Sequence, residues 1–347
     1  MRALIDRLAD TGRLEGEEYL FLLQHWGREE AQLLAQKAMA VKERVYGREV
    51  YIRGLIEVSN ICKNDCYYCG IRKSNPNCQR YRLTREDILT CCDEGYHLGF
   101  RTFVLQGGED GFFTDEVLCR IVGSIKQAHP DCAVTLSLGE RSAESYRRLK
   151  QAGADRYLLR HETIDPTHYA GLHPEEMSWQ RRMDCLHQLR DCGFQVGCGF
   201  MVGSPGQTME MLARELKFIE EFRPDMCGIG PFIPHKDTRF AHEPAGSVEL
   251  TCLLLSLIRL IHPTVLLPAT TALGTLAEQG REQGILAGAN VVMPNLSPAA
   301  VRKKYMLYDN KRSDGAESAQ SKAELERRMA AIGHRVVTAR GDAKQQI

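Results

Sequence analysis

Eight short β-prone runs, alternating with helix-patterned runs, constrain this chain of 347 residues more than any other feature. The runs predict strands over 51–58, 102–106, 133–138, 156–161, 195–202, 226–230, 264–267 and 290–293. The segments between them predict helices over 85–98, 115–128, 142–152, 179–192, 209–222, 248–262 and 276–287. A helix placed between two strands carries the chain back across the sheet, so the next strand runs parallel to the last. Gly99, Gly153, Gly193 and Gly288 follow predicted helices and suit a left-handed cap. Eight such units predict an α/β fold closed as a (β/α)8 TIM-type barrel, with an open doubly wound sheet as the alternative.

The flanks read differently. Residues 1 to about 46 carry apolar positions at helical spacing, interrupted at Gly12 and Gly16. From Asp309 the chain turns polar, with a helix predicted over 318–332 and a frayed, solvated end from Arg340 to Ile347. The expected division is an N-terminal helical extension over 1–48, a barrel over 49–308 and a C-terminal helical tail over 309–347.

Barrel chemistry sits where strands end and helices begin. The polar, glycine-rich segments fall there: Cys62–Cys69 after the first strand, Gln106–Asp110 after the second and Ser137–Glu140 after the third. Arg160–Thr163, Gly203–Thr208, Pro231–His235, Thr270–Thr271 and Pro294–Asn295 follow the later strands. One face therefore collects nearly every motif, which predicts one site.

Cys62, Cys66 and Cys69 form a CxxxCxxC pattern with Tyr68 before the last thiol. Three thiolates at this spacing hold three corners of a [4Fe-4S] cluster and leave one iron open to a small molecule. Zinc is the competing reading, with Cys78 or a histidine as fourth ligand. A small molecule on that iron would need partners for its charged and hydroxyl groups. Gly107-Gly108-Glu109 offers close backbone and an anion, Glu162 an acceptor for hydroxyls, and Arg182 a countercharge; the Gly203–Gln207 turn offers a backbone platform for a flat ring such as adenine. Arg53 and Arg160 fall inside or at the end of strands, where an unpaired charge is costly. They point to an anionic ligand, or to ion pairs with Glu57 or Glu162. His161 and His235 lie at strand ends, as substrate donors or as structural groups. Cys198 and Cys227 are placed near the barrel interior, and Arg302-Lys303-Lys304 is a solvated face or a docking patch.

Lys+Arg and Asp+Glu both total 45, which favours neither nucleic acid nor an anionic membrane as partner. The apolar stretch around 253–261 contains Arg259 and is too short to span a bilayer. Thirteen cysteines without a leader-like N-terminus predict reduced thiols and a cytoplasmic protein.

From Val50 to Tyr308 the chain resembles the HydE-type [FeFe]-hydrogenase maturases of the radical S-adenosylmethionine (SAM) superfamily. The resemblance rests on IRGLIEVSNICKNDCYYCGIR from Ile52, RYRLT from Arg80, VLQGGED from Val104, TLSLGE from Thr135 and DRYLLRHET from Asp155. It continues through GFMVGSPGQT from Gly199, GIGPFIPHKDT from Gly228, LPATTALGT from Leu267 and GANVVMPNLSP from Gly288. Biotin synthase and methylornithine synthase share the cysteine motif and barrel, and fit the RHET, PHKDT and PATTA segments less well. They supply the alternative of a radical SAM enzyme acting on a small organic substrate.

The resemblance implies reductive cleavage of SAM to a 5′-deoxyadenosyl radical, in assembly of the hydrogenase diiron subcluster. It implies SAM held by Gly107, Gly108, Glu109, Ser137, Glu162 and Arg182. It places a small organometallic or anionic substrate against Arg53, Gln106, Thr135, Arg160, Thr270 and Thr271, with Met226, Tyr305 and Tyr308 lining the cavity. It also implies a monomer served by ferredoxin or flavodoxin as electron donor, working beside other hydrogenase maturases. No cysteine lies beyond Cys252, so the second, C-terminal cluster of some members is not expected.

Overall fold

The computed structural model describes residues 1–312 and 317–344. The strands Gly54–Ser59, Thr102–Gly107, Ala133–Ser137, Arg156–Leu158, Gln195–Cys198 and Met226–Cys227 lie side by side in that order, all parallel. The first begins earlier, as Glu49–Ile52, and is interrupted at Arg53. Gly54, which resumes the strand, packs so closely on Leu296 that a Cβ would lie 2.0 Å from its Cδ1.

The predicted seventh strand is reduced to single bridges, Met226 to Leu266 and Pro268 to Val291. Pro263 and Pro268 bracket it and lack N–H donors. The buried Arg259 guanidinium takes the carbonyls of Pro263 and Val265 at 2.8 and 2.7 Å. Enough ladder survives to close the ring: Leu266 N donates to Asp225 O, and Ala269 N to Val291 O, both at 2.9 Å. Val291–Val292 then pairs in parallel with Glu49–Ile52, which makes the sheet a barrel.

Helices Arg85–His97, Asp115–Ala128, Ala143–Gln151, Trp179–Asp191, Met209–Phe222 and Val248–Ile261 match the predicted ones to within a residue or two. The predicted helix over 276–287 is two pieces, Thr271–Leu276 and Gly280–Leu286. The chain turns at Ala277 so that Gly280 can rest on Leu273, where a Cβ would lie 2.0 Å from the carbonyl oxygen. The helix predicted over 318–332 is a 3-10 turn, Ala319–Ser321, followed by Lys322–Ala331. A short helix at Pro166–Leu172 escaped prediction; Asp165 caps it by accepting from His168 N at 2.7 Å, and Pro166 opens it.

The N-terminal helices Arg2–Thr11, Gly16–His25 and Arg28–Tyr46 pack on Met209–Phe222 and Val248–Ile261. The tail departs from expectation. Arg335–Val337 adds a strand beside Glu49–Ile52, and the residues after it are fixed rather than frayed. The Arg340 carbonyl accepts from Thr102 Oγ1 at 2.7 Å and from Arg156 Nη2 at 2.9 Å. Asp342 pairs with Arg156 and Arg340, and Gln195 donates to it at 3.2 Å. Gly341, at φ +59°, passes so close to Tyr51 that a Cβ would meet the ring at 2.7 Å. This segment stoppers the end of the barrel opposite the motif-bearing face, because buried Arg156 needs its acceptors. Residues 345–347, the rest of the expected frayed end, lie outside the described chain. No helix among the described residues is long and apolar enough to cross a membrane.

Candidate active site

A cavity of about 330 Å³ opens at the C-terminal ends of the strands. The first strand delivers the cysteine loop to its rim, and Cys62, Cys66 and Cys69 all line it. Gly108 brings the loop after the second strand against the cysteine loop: a Cβ there would lie 2.3 Å from Ile61 O and 2.8 Å from Cys62 Cβ. Glu109 N donates to Cys62 Sγ at 3.4 Å, and Cys66 Sγ lies 3.7 Å from Met177 Sδ. Burial raises all three thiols. Cys69 is pushed up to about 12, and Cys66 is raised well above the ordinary thiol value by burial and then by its two neighbouring thiols. Such sulfurs become thiolates when positive metal charge lies among them. Among the described residues no three His, Cys, Asp or Glu side chains converge tightly enough for one metal ion. A four-iron cluster is larger than an ion and takes its thiolates at separate corners, which suits this donor set.

Gly107, Gly108, Glu109, Ser137, Glu162 and Arg182 line the cavity together with the cysteines. Glu162 has a left-handed backbone, φ +65°, which is strained for a residue with a side chain. Its N–H still donates to Gly199 O at 3.0 Å. Its carboxylate lies 3.1 Å from Arg160 Nη2, but the two are not aligned as a hydrogen bond. Arg182 Nε pairs with Glu140 at 2.6 Å and Nη1 donates to Arg160 O at 2.7 Å, which fixes the guanidinium and leaves Nη2 over. Glu109 is partly engaged, accepting from Glu140 N at 3.1 Å and pairing with Lys63 at 3.0 Å.

Deeper in, Gln106, Arg160, Thr270, Thr271, Tyr305 and Tyr308 line the same space. Arg160 Nε and Thr270 Oγ1 are buried without a hydrogen-bond partner among the described residues. Gln106 Nε2 reaches Tyr305 Oη at 3.5 Å, while Thr271 Oγ1 donates to Glu317 at 3.0 Å.

Arg53, Thr135 and Met226 do not line this cavity. Arg53 sits lower on its strand: Nη1 lies 2.9 Å from Met226 Sδ, and Nη2 is 3.5 Å from Gly341 O of the tail. Its Nε and Thr135 Oγ1 are buried without partners. The possible ion pair of Arg53 with Glu57 does not form, because Glu57 is bound by Lys311 and by Asn295 Nδ2. The Gly203–Gln207 turn stays outside too, held by its own Gln207, which accepts from Gly203 N at 2.6 Å.

Cys198 and Cys227 are correctly buried but face the hydrophobic core, not the barrel interior. Met226 and Gly197 touch inside the barrel, so their strand neighbours point outward. His161 is structural: its Nε2 lies 2.7 Å from Glu215 and its Nδ1 accepts from Gly199 N at 3.3 Å. His235 packs on Gly70, where a Cβ would meet its ring at 2.3 Å. Lys311 and Met201 line the cavity and escaped the sequence reading; Glu57, Tyr68 and Phe232 line it too, beyond their sequence readings as an ion-pair partner, as the aromatic before Cys69 and as part of the loop after the sixth strand. Tyr68 had a local signal, as the aromatic before Cys69. Its hydroxyl is fixed 3.2 Å from His173 Nε2.

Residues 56–219 match the radical SAM superfamily. The [FeFe] hydrogenase maturase subunit HydE of Thermotoga maritima is 45% identical over 280 residues, 81% of this chain and 80% of that protein. The 3-methylornithine synthase of Methanosarcina acetivorans is 26% identical over 83% of this chain and 81% of its own. In fold, the crystal structure of methylornithine synthase (PylB) superposes with TM-score 0.85 at 24% identity, covering 96% of this chain and 97% of that one. HydG, a maturase of the [FeFe]-hydrogenase, superposes with TM-score 0.79 at 22% identity, covering 96% and 75%.

Proposed function

Because the chain belongs to the HydE family of [FeFe]-hydrogenase maturases within the radical SAM superfamily, we propose that this cavity binds SAM at its rim and a small anionic or organometallic substrate beneath it. When bound, a [4Fe-4S] cluster with one iron free of protein ligands supplies one electron to the sulfonium of SAM and so releases a 5′-deoxyadenosyl radical. The product of that chemistry enters assembly of the hydrogenase H-cluster.

This chain's residues then have separable tasks. Cys62, Cys66 and Cys69 hold three irons. The backbone of Gly107 and Gly108 receives the methionine ammonium, with Glu109 as its anionic partner and Ser137 beside it. Glu162 accepts from the ribose hydroxyls. The remaining Nη2 of Arg182 faces the carboxylate, and Glu140 keeps that guanidinium from turning away. Gln106, Arg160, Thr270 and Thr271 hold the substrate, with Tyr305 and Tyr308 as the wall; Arg53, Thr135 and Met226 lie outside the cavity lining and are left without a substrate contact. Tyr305, fully buried, also keeps water from the radical's path. The protein works as a cytoplasmic monomer fed by a ferredoxin or flavodoxin, and exchanges intermediates with other maturases.

The observation that carries this reading is that Arg160 Nε and Thr270 Oγ1, which line the cavity together with the three cysteines, are buried donors without partners among the described residues. Buried polar groups are nearly always satisfied, so such a pair marks a ligand. The test is anaerobic reconstitution with iron and sulfide, then SAM and dithionite. 5′-Deoxyadenosine should form, and the gene should restore hydrogenase activity to a host lacking its HydE. An iron-loaded protein that leaves SAM intact would refute the reading. Restoration by a Cys66→Ala variant would refute the ligand assignment.

A further inference from the structure

A polar crevice of about 370 Å³ lies beside the cysteine loop, lined by Gly70, Cys78, His235, Lys236, Lys303 and Lys304 among others. Gly70 follows Cys69, so the two Cα atoms are about 3.8 Å apart. Gly70 is packed where no side chain fits: a Cβ would lie 2.2 Å from Met306 O and 2.3 Å from the His235 ring. The cysteine loop therefore rests directly on the two segments that carry Lys236, Lys303 and Lys304.

The ammonium groups of Lys73, Lys236, Lys303 and Lys304 have no hydrogen bond or ion pair among the described residues, and the first three residues are exposed. Of the nearby acids, Asp65 is neutralised by an arginine, whereas Asp237 and Asp309 are held by neutral donors and keep their charge. Asp65 pairs with Arg72 at 3.1 Å, Asp237 accepts from Asn77 Nδ2 at 2.8 Å, and Asp309 accepts from Lys236 N at 2.8 Å. Lys236, Lys303 and Lys304 thus line a crevice beside one cluster ligand with no ion pair to their ammonium groups among the described residues, and outnumber the uncompensated Asp237 and Asp309, on a chain whose formal net charge is zero. Arg302 is not part of this face: it is buried, donating to Ser297 O at 2.6 Å and to Ser318 at 2.8 Å.

We propose that this face docks an acidic one-electron carrier protein. The inference rests on the radical SAM reading, which requires one electron from outside. The carrier is oxidised by one electron and the cluster reduced by one; no atom and no proton need cross. A large interface is unnecessary, since weak electron-transfer encounters bury under roughly 1,200 Å². Charge steering of this kind raises association rates about 10- to 1,000-fold at low salt.

The test compares two reductants on the reconstituted full chain. One is dithionite, which needs no docking face. The other is enzymatically reduced flavodoxin, with an acidic 2[4Fe-4S] ferredoxin in parallel. The variants are Lys236→Glu/Lys303→Glu/Lys304→Glu and the milder triple exchange to Gln. With dithionite, 5′-deoxyadenosine formation and the cluster's electron paramagnetic resonance (EPR) signal should match the parent. With the carrier, the Glu variant should be slower by about tenfold or more at low salt, the Gln variant intermediate, and the salt dependence flattened in both. Carrier-driven rates equal to the parent's would overturn the proposal. So would a parallel loss with dithionite in the Gln variant, or a parent that accepts electrons from neither carrier. A parent that makes no 5′-deoxyadenosine even with dithionite would instead sink the radical SAM reading beneath it.

Discussion

Glu162 shows most plainly how one residue is placed for chemistry at a cost to the fold. Its left-handed backbone costs on the order of 1–3 kcal/mol, and its carboxylate is not fully satisfied. Glu162→Gln keeps the shape and removes the charge. Loss of a charge-assisted hydrogen bond worth about 1.5–3 kcal/mol predicts roughly 10- to 100-fold weaker SAM binding. Equilibrium dialysis on the cluster-loaded protein reads this, and unchanged affinity would remove Glu162 from the SAM site. Gly108→Ala tests the rim from the other side. Its new methyl would overlap Ile61 O and Cys62 Cβ, so iron per chain after reconstitution should fall well below one cluster while the circular dichroism spectrum stays that of the parent. Both residues were legible in the sequence because their neighbours are close along the chain or at adjoining strand ends. Lys311 was not: its partner Glu57 lies 254 residues away, and nothing local marks a lysine as the plug of a buried carboxylate.

At the scale of elements, the predicted helices and most strands stand because each carries its own periodic signal and cap. The seventh strand fails because two prolines and the carbonyl-seeking Arg259 compete with its ladder. The tail was misread for a related reason. Residues 340–344 are polar because they bind buried polar groups, and polarity alone cannot distinguish that from solvation. Asp342 makes this testable by pH. Burial raises its carboxyl, but Arg340 and Arg156 outweigh that and hold it at about 2, below its ordinary 3.8. A carboxyl lowered in the folded state stabilises the fold above the unfolded value, and that stability drains as pH falls from about 4 toward 2. Asp342→Asn should therefore cost stability at neutral pH by about 1–2 kcal/mol. That is less than the 3–5 kcal/mol for breaking a fully buried pair, because Asp342 is partly exposed. Urea titrations at stepped pH should show the gap between parent and variant closing across that acid window. A gap that persists at pH 2 would mean the segment is held by its backbone contacts alone.

Across the whole molecule, chemistry and stability occupy opposite ends. The motif-bearing face holds the cysteines and the strained Glu162. The far end is closed by the tail, and the outside is braced by the N-terminal helices. Stability can therefore be altered in that brace without touching SAM. Lys42, in the helix Arg28–Tyr46, is fully buried, and its Nζ has no hydrogen-bond partner among the described residues. Burial first, and then the Arg259 charge, push its pKa down to about 7 from 10.5. Between those values the unfolded chain holds a proton that the folded chain has lost. The contribution of Lys42 to stability therefore rises with pH across that window. Lys42→Met removes the ammonium and keeps the packing of the aliphatic stem. Each pKa unit corresponds to about 1.4 kcal/mol, so the variant should be more stable at pH 7 by up to a few kcal/mol. Its advantage should shrink as the pH approaches 10. Chemical denaturation of parent and variant at matched pH measures this. The rate of 5′-deoxyadenosine formation with dithionite should be the same in both. A variant that is less stable at pH 7 would show that Lys42 is satisfied in the folded protein. One that loses SAM cleavage would show that the helical brace and the mouth of the barrel are mechanically coupled.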